Sequence, residues 1–174
     1  MRMRRGWVMS LVLGAAGAAS AQAADLALSV SIPRLDVAEY HRPYVAMWIE
    51  QDDQTFAANL AVWYDLKMRN NEGTKWLKDL RQWWRRSGRT LQMPVDGLAG
   101  ATRPVGTHVL TFAGDAEPLK NLARGRYQVV VEAAREVGGR ELLRVPFEWP
   151  PKAEARQVVQ GTSELGELVL TLKP

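Results

Sequence analysis

Short segments in which apolar residues alternate with small or polar ones recur along this chain. In the first of them, Leu26, Leu28, Val30 and Ile32 occupy every second position, which is the period of a strand with one buried face. Turn-forming residues bound the later segments of this kind. These segments cover residues 44–50, 57–65, 106–112, 122–134, 142–149 and 165–172. Strands separated by turn signals predict a mainly β fold, an antiparallel β-sandwich rather than an α/β fold.

The entry into the most Val-rich of these segments has a pattern of its own. Leu122 is followed by Gly125 and Tyr127 in the order Leu-x-x-Gly-x-Tyr. This pattern resembles the tyrosine corner of immunoglobulin-like sandwiches, in which the Tyr hydroxyl bonds to the backbone a few residues upstream. An ordinary strand start with an amphipathic aromatic residue explains the pattern equally well. The resemblance implies an immunoglobulin-like sandwich, and the role of Tyr127 stays open at this point.

One segment has helical rather than strand spacing, with charged and polar residues at most of its other positions. Its apolar residues are Trp76, Leu77, Leu80, Trp83 and Trp84. Thr74 is a candidate N-cap, and Ser87-Gly88 marks the end of the segment. We therefore predict one amphipathic α-helix, at about residues 74–87, inserted into the sandwich. Its tryptophans would cover an open face of the sheet, or one of them would stay exposed.

The start of the chain has the composition of a secretory signal peptide. Three arginines precede an apolar stretch from Trp7 to Ala19, and Ala21-Gln22-Ala23 supplies small residues for cleavage. The apolar stretch is too short for a spanning helix. We predict a signal peptide at residues 1–23, a periplasmic location, and a single β-sandwich domain over residues 24–174 with no membrane span after cleavage.

Charge and composition exclude several classes of function. The formal net charge of +4 includes the three arginines of the signal peptide, so the exported part is close to neutral and nucleic-acid binding is not expected. The absence of cysteine excludes a disulfide framework, a lipoprotein anchor, Cys-x-x-Cys-His haem attachment and thiolate-held iron–sulfur clusters. With His41 and His108 as the only histidines, no metal site is predicted. A redox cofactor would need another kind of attachment.

Residues 96–102, Asp-Gly-Leu-Ala-Gly-Ala-Thr, form a small-residue stretch between Pro94 and Pro104. Glycine widens the accessible backbone conformations, and the flanking prolines discourage a helix or central strand. The stretch therefore predicts a flexible loop that carries an uncluttered hydroxyl on Thr102. Such a hydroxyl suits a modifying enzyme, which must bring its own active site against the backbone. An ordinary Gly/Pro surface turn is the alternative.

The same stretch resembles the recognition sequence of bacterial flavin transferases, Asp-x-x-Ser/Thr-Gly-Ala-Thr/Ser. Asp96, Gly100, Ala101 and Thr102 match it, and Ala99 stands where Ser or Thr is usual. Those enzymes use FAD as donor and join FMN through its phosphate to the last hydroxyl of the motif. The resemblance implies covalent FMN on Thr102 through a phosphoester, with Asp96, Gly100 and Ala101 recognised by the transferase.

A wider resemblance joins these features. The signal peptide, the β-rich domain, the sequence Gly-Thr-Lys-Trp-Leu-x-x-Leu-x-x-Trp-Trp at residues 73–84 and the loop at residues 96–102 resemble a periplasmic family of unknown function. Proteins of this kind are associated with flavin transferases and PepSY-containing membrane proteins. The resemblance implies an exported flavoprotein that carries electrons between a PepSY-type membrane reductase and a further acceptor. Because the flavin would supply the redox chemistry, no catalytic residue of the chain itself is predicted.

Side chains near the motif suggest auxiliary roles. Trp83 or Trp84 would stack on the flavin ring if either is exposed beside the loop, and Arg85 and Arg86 would help to neutralise a phosphodiester. Burial of the tryptophans and solvation of the arginines are the alternatives. His108 is close enough in sequence to assist chemistry at Thr102, but a solvated strand histidine explains it better.

A second hypothesis needs no cofactor. It is a periplasmic β-sandwich binding or accessory module, in metal or haem uptake, that docks a partner through the Trp-rich helix. A hydrolase is disfavoured, because the chain has no Gly-x-Ser-x-Gly nucleophile elbow.

Overall fold

The structure is a computed structural model and describes residues 24–174. The predicted signal peptide at residues 1–23 therefore lies outside the described residues. Within the described part, the chain forms nine strands. In chain order they are β1 (Asp25–Ile32), β2 (Tyr44–Gln51), β3 (Phe56–Tyr64), β4 (Ala99–Ala101), β5 (Gly106–Ala113), β6 (Gly125–Ala134), β7 (Arg140–Trp149), β8 (Ala155–Gln160) and β9 (Glu167–Lys173).

The strands form two sheets that face each other across a shared core. The first sheet has the order β5-β1-β9-β8 and the second has the order β4-β3-β2-β6-β7. Every pairing is antiparallel except that of β3 with β4, which is parallel. The predicted mainly β sandwich with a small helical insertion is therefore confirmed. No helix among residues 24–174 is long and apolar enough to cross a membrane.

The core between the sheets follows from the strand alternation. Leu26, Leu28 and Val30 of β1 are fully buried and pack in one cluster with Val129 and Val131 of β6. We call the side of the five-stranded sheet that faces this core its inner face, and the opposite side its outer face. Burial of these aliphatic side chains is the main source of stability for the sandwich.

Tyr127 at the start of β6 settles one alternative left open by the sequence. Its hydroxyl donates a hydrogen bond of 2.9 Å to the carbonyl oxygen of Ala123, four residues upstream. Its ring is almost completely buried in the core between the sheets and lies 5.8 Å from the ring of Phe147, between centroids. This is the hydrogen bond of a tyrosine corner, so that interpretation is confirmed.

The outer face of the five-stranded sheet is also covered. Ala46 and Trp48 of β2 and Val130 of β6 pack there against Leu77 and Trp83 of the helical segment. A sheet buried on both faces explains why β2 is buried along most of its length, without the alternation seen in β1.

The helical segment differs from the predicted α-helix at residues 74–87. It consists of a 3₁₀ segment at Arg69–Asp79, a short helix α1 at Arg81–Arg86 and a 3₁₀ turn at Gly88–Thr90. Leu80, with ψ of 70°, interrupts the helical backbone between the first two pieces. The α-helix is therefore shorter than predicted, and the residue at the interruption, Leu80, is fully buried.

The entry to this segment also differs from the prediction. Asn70 and Asn71 have left-handed backbones, with φ of 53° and 56°, a conformation that Asn tolerates better than most residues. Thr74 lies inside the 3₁₀ segment, and its hydroxyl donates to the carbonyl oxygen of Asn71 at 2.7 Å. The predicted N-cap at Thr74 is therefore wrong.

The small-residue stretch is more ordered than a flexible loop. Its residues 99–101 form β4, which pairs in parallel with residues 62–64 of β3. The Thr102 N–H donates to the carbonyl oxygen of Tyr64 at 3.2 Å, just beyond the strand. The stretch is thus an edge strand anchored to the sheet, and the prediction of a flexible loop is wrong for residues 99–102.

Candidate functional site

A cavity of about 950 Å³ lies at one end of the five-stranded sheet. At this end β3, β4 and β6 finish, and β2 and β7 begin. Its wall comes from five chain segments, at residues 40–44, 64–68, 76–81, 101–102 and 134–140. We call it the end cavity. Its volume is at the upper end of the range of about 300–1,000 Å³ that is usual for small-molecule sites.

Thr102 belongs to the wall of the end cavity, next to Ala101. It is half-buried, and Ala101 is exposed. The backbone of Thr102 is fixed by its hydrogen bond to Tyr64. Its hydroxyl has no hydrogen-bond partner within the described residues, whereas the hydroxyls of Thr74 and Thr90 donate to backbone carbonyls. The structure therefore presents a free hydroxyl on a well-anchored backbone.

The other two motif residues lie away from the end cavity. Asp96 is exposed and occupies a turn with Gly97, whose φ of 74° is left-handed. Gly100 lies in β4, where an added Cβ would stand 3.0 Å from the Cδ1 atom of Trp63. Gly100 therefore has a packing reason to be small, independent of any recognition by an enzyme. The roles of Asp96 and Gly100 in transferase recognition stay predictions.

The two tryptophans predicted to stack on a flavin do not border the end cavity. Trp83 is fully buried, and its Nε1–H donates to the Asn59 side-chain oxygen at 2.9 Å. Trp84 is half-buried and packs on the cluster that covers the outer face. A ring without an exposed face cannot stack on a ligand, so the prediction is wrong for Trp83. The structure also does not bring Trp84 together with Thr102.

The charged residues and the histidine named beside the motif are also elsewhere. Arg85 and Arg86 are exposed on α1 and do not border the end cavity. His108 contacts the Pro104 carbonyl oxygen through Nε2 at 2.8 Å, and its ring packs edge-on against Trp63 at 5.7 Å between centroids. These contacts fix the chain that follows Thr102, which is a structural role for His108.

Sequence reasoning missed the tryptophan that does border the end cavity. Trp76 is 48% exposed, although its position in the sequence predicts a place on the same helical stripe as Leu77. Of the eight large apolar side chains that residues 24–174 leave exposed, four border this cavity. They are Tyr40, Met68, Trp76 and Val137. Such a concentration of exposed apolar surface marks a binding region.

The backbone that carries Trp76 is fixed against the sheet. A Cβ atom on Gly73 would overlap the carbonyl group of Asp65. The hydroxyl of Tyr44 donates to the Gly73 carbonyl oxygen at 3.2 Å, and Leu77 is buried on the outer face. The position of Trp76 between these two anchors leaves little freedom to its backbone.

Cationic side chains lie along the same wall. Arg42, Lys67 and Arg81 border the end cavity, and in residues 24–174 none of them forms a salt bridge. The carboxylates of Asp65 and Asp79 also border it. The wall therefore combines exposed cations, carboxylates and apolar rings, as expected of a site for a ligand that is both aromatic and charged.

A buried carboxylate holds two parts of this region together. Glu132 on the outer face of β6 is fully buried. It accepts hydrogen bonds from the backbone N–H groups of Gln82 at 3.0 Å and Trp83 at 2.8 Å, and from Nη1 of Arg140 at 2.7 Å. One side chain thus joins the start of α1 to the sheet and orients Arg140, which borders the end cavity.

Tyr64 borders the end cavity, and its hydroxyl is buried beneath that wall. Its side chain is completely buried, and its hydroxyl has no hydrogen-bond partner in the described part of the chain. Burial raises the pKa of this hydroxyl above its ordinary value of 10.0. A buried polar group without a partner costs free energy, so it calls for an explanation such as a bound molecule.

The described residues contain no cluster of three or more His, Asp or Glu side chains that could hold a metal ion. The groups that border the end cavity are a hydroxyl, cations, carboxylates and aromatic rings. These groups suit attachment and binding.

Comparison with known proteins identifies the family. No curated protein and no solved structure shows significant similarity to the chain. Residues 25–167 match the family described as "Predicted periplasmic protein (DUF2271)", and this description confirms the periplasmic location predicted from the sequence. Because the match covers most of its length, the chain belongs to the DUF2271 family of periplasmic proteins.

Proposed function

We propose that this periplasmic protein carries FMN joined covalently, through its phosphate, to the hydroxyl of Thr102, and that it serves extracytoplasmic electron transfer. The observation that carries the proposal is the position of Thr102. The last hydroxyl of the flavin-transferase motif has no hydrogen-bond partner in the described structure and belongs to a cavity wall.

The groups around Thr102 fit a flavin mononucleotide. The end cavity is large enough for a molecule of that size. Lys67 and Arg81 offer positive charge for a phosphodiester, and the Tyr64 hydroxyl lacks a partner. When bound, FMN supplies one- or two-electron transfer. The chain would supply the attachment point and the walls that orient the ring.

The attachment step would use the Thr102 oxygen as nucleophile. This oxygen would form a bond to the phosphorus on the riboflavin side of FAD. The phosphoanhydride bond would break and AMP would leave. The hydroxyl proton would pass to a base of the flavin transferase, because a threonine hydroxyl is inert near neutral pH without such a base.

The setting of β4 suits recognition by that transferase. β4 is a three-residue edge strand, and its outward-facing backbone groups can pair with another protein, apart from the Ala99 N–H, which donates to the Val95 carbonyl oxygen. Asp96 and Ala101 are exposed, and Arg103 after Thr102 is exposed as well. We propose a PepSY-type membrane reductase as the electron donor.

Intact mass measured after co-expression with a flavin transferase tests the attachment. The natural chain and Thr102→Ser should gain the mass of FMN less water and stay yellow after denaturation, and Thr102→Ala should gain nothing. Thr107→Ala, an exposed threonine outside the motif, is the matched control and should be modified like the natural chain. Equal modification of Thr102→Ala, or an unmodified natural chain, would contradict the proposal.

The alternative of a cofactor-free module that docks a partner through the Trp-rich helix has less support. Trp83, at the centre of that stripe, is buried between the helical segment and the sheet, so of its three tryptophans only Trp76 is largely exposed.

A further inference from the structure

We infer that the end cavity also binds the flavin ring non-covalently, with Trp76 as the stacking surface. This inference rests on the proposed function for its choice of ligand. It goes further because a tether at Thr102 alone would leave the ring free in solvent. The ring would instead lie against Trp76, on the side of the cavity formed by the 3₁₀ segment.

The first argument is the exposure of Trp76. An exposed indole costs solvation free energy that burial in the outer cluster would remove, and its neighbour Leu77 is fully buried there. The anchors at Gly73 and Leu77 hold the Trp76 backbone in place. An aromatic surface kept exposed on a fixed backbone, beside a cavity, is the arrangement that stacks a planar ligand with little loss of conformational entropy.

The second argument is the chemistry of the other residues that border the cavity with Trp76. Tyr40, Met68 and Val137 are the other exposed apolar side chains of this wall, and they extend the apolar surface that a tricyclic ring needs. The cations Lys67 and Arg81 border the same cavity and complement the negative phosphodiester. An aromatic ring and an anion on one ligand match these two kinds of surface together.

The experiment separates the attachment from the ring site. The natural chain, Trp76→Ala and the matched control Trp84→Ala are each flavinylated, and intact mass is measured beside flavin fluorescence and its anisotropy. A stacked indole quenches flavin fluorescence. The natural chain and Trp84→Ala should be dim and of high anisotropy. In Trp76→Ala the unstacked fraction should rise roughly two- to tenfold, with brighter fluorescence and lower anisotropy at unchanged mass.

Two outcomes would overturn this inference while leaving the proposed attachment of FMN to Thr102 supported. If all three proteins carry FMN by mass and share one brightness and one anisotropy, Trp76 is not the stacking residue. If the flavin on the natural chain is as mobile as free FMN, no ring site exists.

A second experiment does not depend on covalent attachment. If no protein is flavinylated, that result contradicts the proposed function, and the ring site can still be tested with free FMN. Free FMN is titrated into Thr102→Ala and into the double variant that also has Trp76→Ala. Quenching of FMN by the first protein and its loss in the second would support the ring site. Equal quenching, or none, would overturn it.

Discussion

The two faces of the five-stranded sheet are both buried, but they are built from different materials. The inner face packs aliphatic and aromatic side chains against the second sheet, and its one tyrosine hydroxyl, on Tyr127, has a partner. The outer face carries the buried carboxylates Glu50 and Glu132 and the unpartnered hydroxyl of Tyr64. Apolar packing therefore holds the inner face, whereas the outer face also depends on hydrogen bonds and ion pairs of buried carboxylates.

The largest expected effect on stability is at Glu132, a fully buried carboxylate of the outer face. Glu132→Gln should lower the free energy of unfolding by about 1–3 kcal/mol, because backbone N–H groups of α1 and the Arg140 guanidinium lose their charged acceptor. Urea unfolding measures it. Glu154→Gln, at an exposed residue without a partner in the described structure, should change the free energy by less than about 0.5 kcal/mol. An equally small change for Glu132→Gln would contradict the prediction and would show that the charge of Glu132 does not stabilise the outer face.

A pair of identical substitutions should give opposite signs on the two faces. Tyr127→Phe removes a hydroxyl with a partner and should lower the free energy of unfolding by about 1 kcal/mol. Tyr64→Phe removes a buried hydroxyl without one and should raise that free energy, by up to about 1 kcal/mol, in the unflavinylated protein. Thermal and urea unfolding of the two variants compare them directly. Destabilisation by Tyr64→Phe would mean that its hydroxyl already has a partner.

The smallest expected effect on the free energy of unfolding depends on pH and concerns Glu141, near the start of β7. Burial raises the pKa of Glu141, but hydrogen bonds from the N–H groups of Thr162, Leu165 and Ser163 outweigh burial and hold the pKa below its ordinary 4.5. The stabilisation is therefore present above that ordinary pKa and lost as the pH falls through the lower pKa of the folded state.

Glu141→Gln should consequently flatten the fall in unfolding free energy on acidification, measured by urea titration at several pH values from neutral down to roughly pH 3. Glu154→Gln should keep the slope of the natural chain. An unchanged slope in Glu141→Gln would show that this carboxylate is not among the groups that set acid stability.

The sequence predicted those parts of the fold that depend on local periodicity. The alternation of Leu26 to Ile32 predicted β1, and the Leu-x-x-Gly-x-Tyr pattern pointed to the hydrogen bond of Tyr127. Two strands were missed for physical reasons. β8 is mostly exposed and polar, so it has no apolar alternation, and β4 consists of Ala and Gly, which have little strand propensity.

The site was harder to predict because it depends on tertiary convergence. Thr102 was identified from its motif, but the five segments that surround it are up to about a hundred residues apart in sequence. The helical spacing predicted a buried stripe that included Trp76. The left-handed backbones of Asn70 and Asn71 and the interruption at Leu80 replaced that helix by a 3₁₀ segment, in which Trp76 is exposed.

The hydrogen bond from the Thr102 N–H to the Tyr64 carbonyl oxygen has a consequence for how redox partners would reach the flavin. Under the proposed function, the redox group stays at one end of the sandwich, because its anchor is fixed within about one residue of the sheet edge. The electron donor and the electron acceptor would then have to bind at the same end of the sandwich, so each would compete with the other for access to the flavin. Such a carrier would bind its donor and its acceptor alternately, so an excess of either partner would lower the rate of electron transfer.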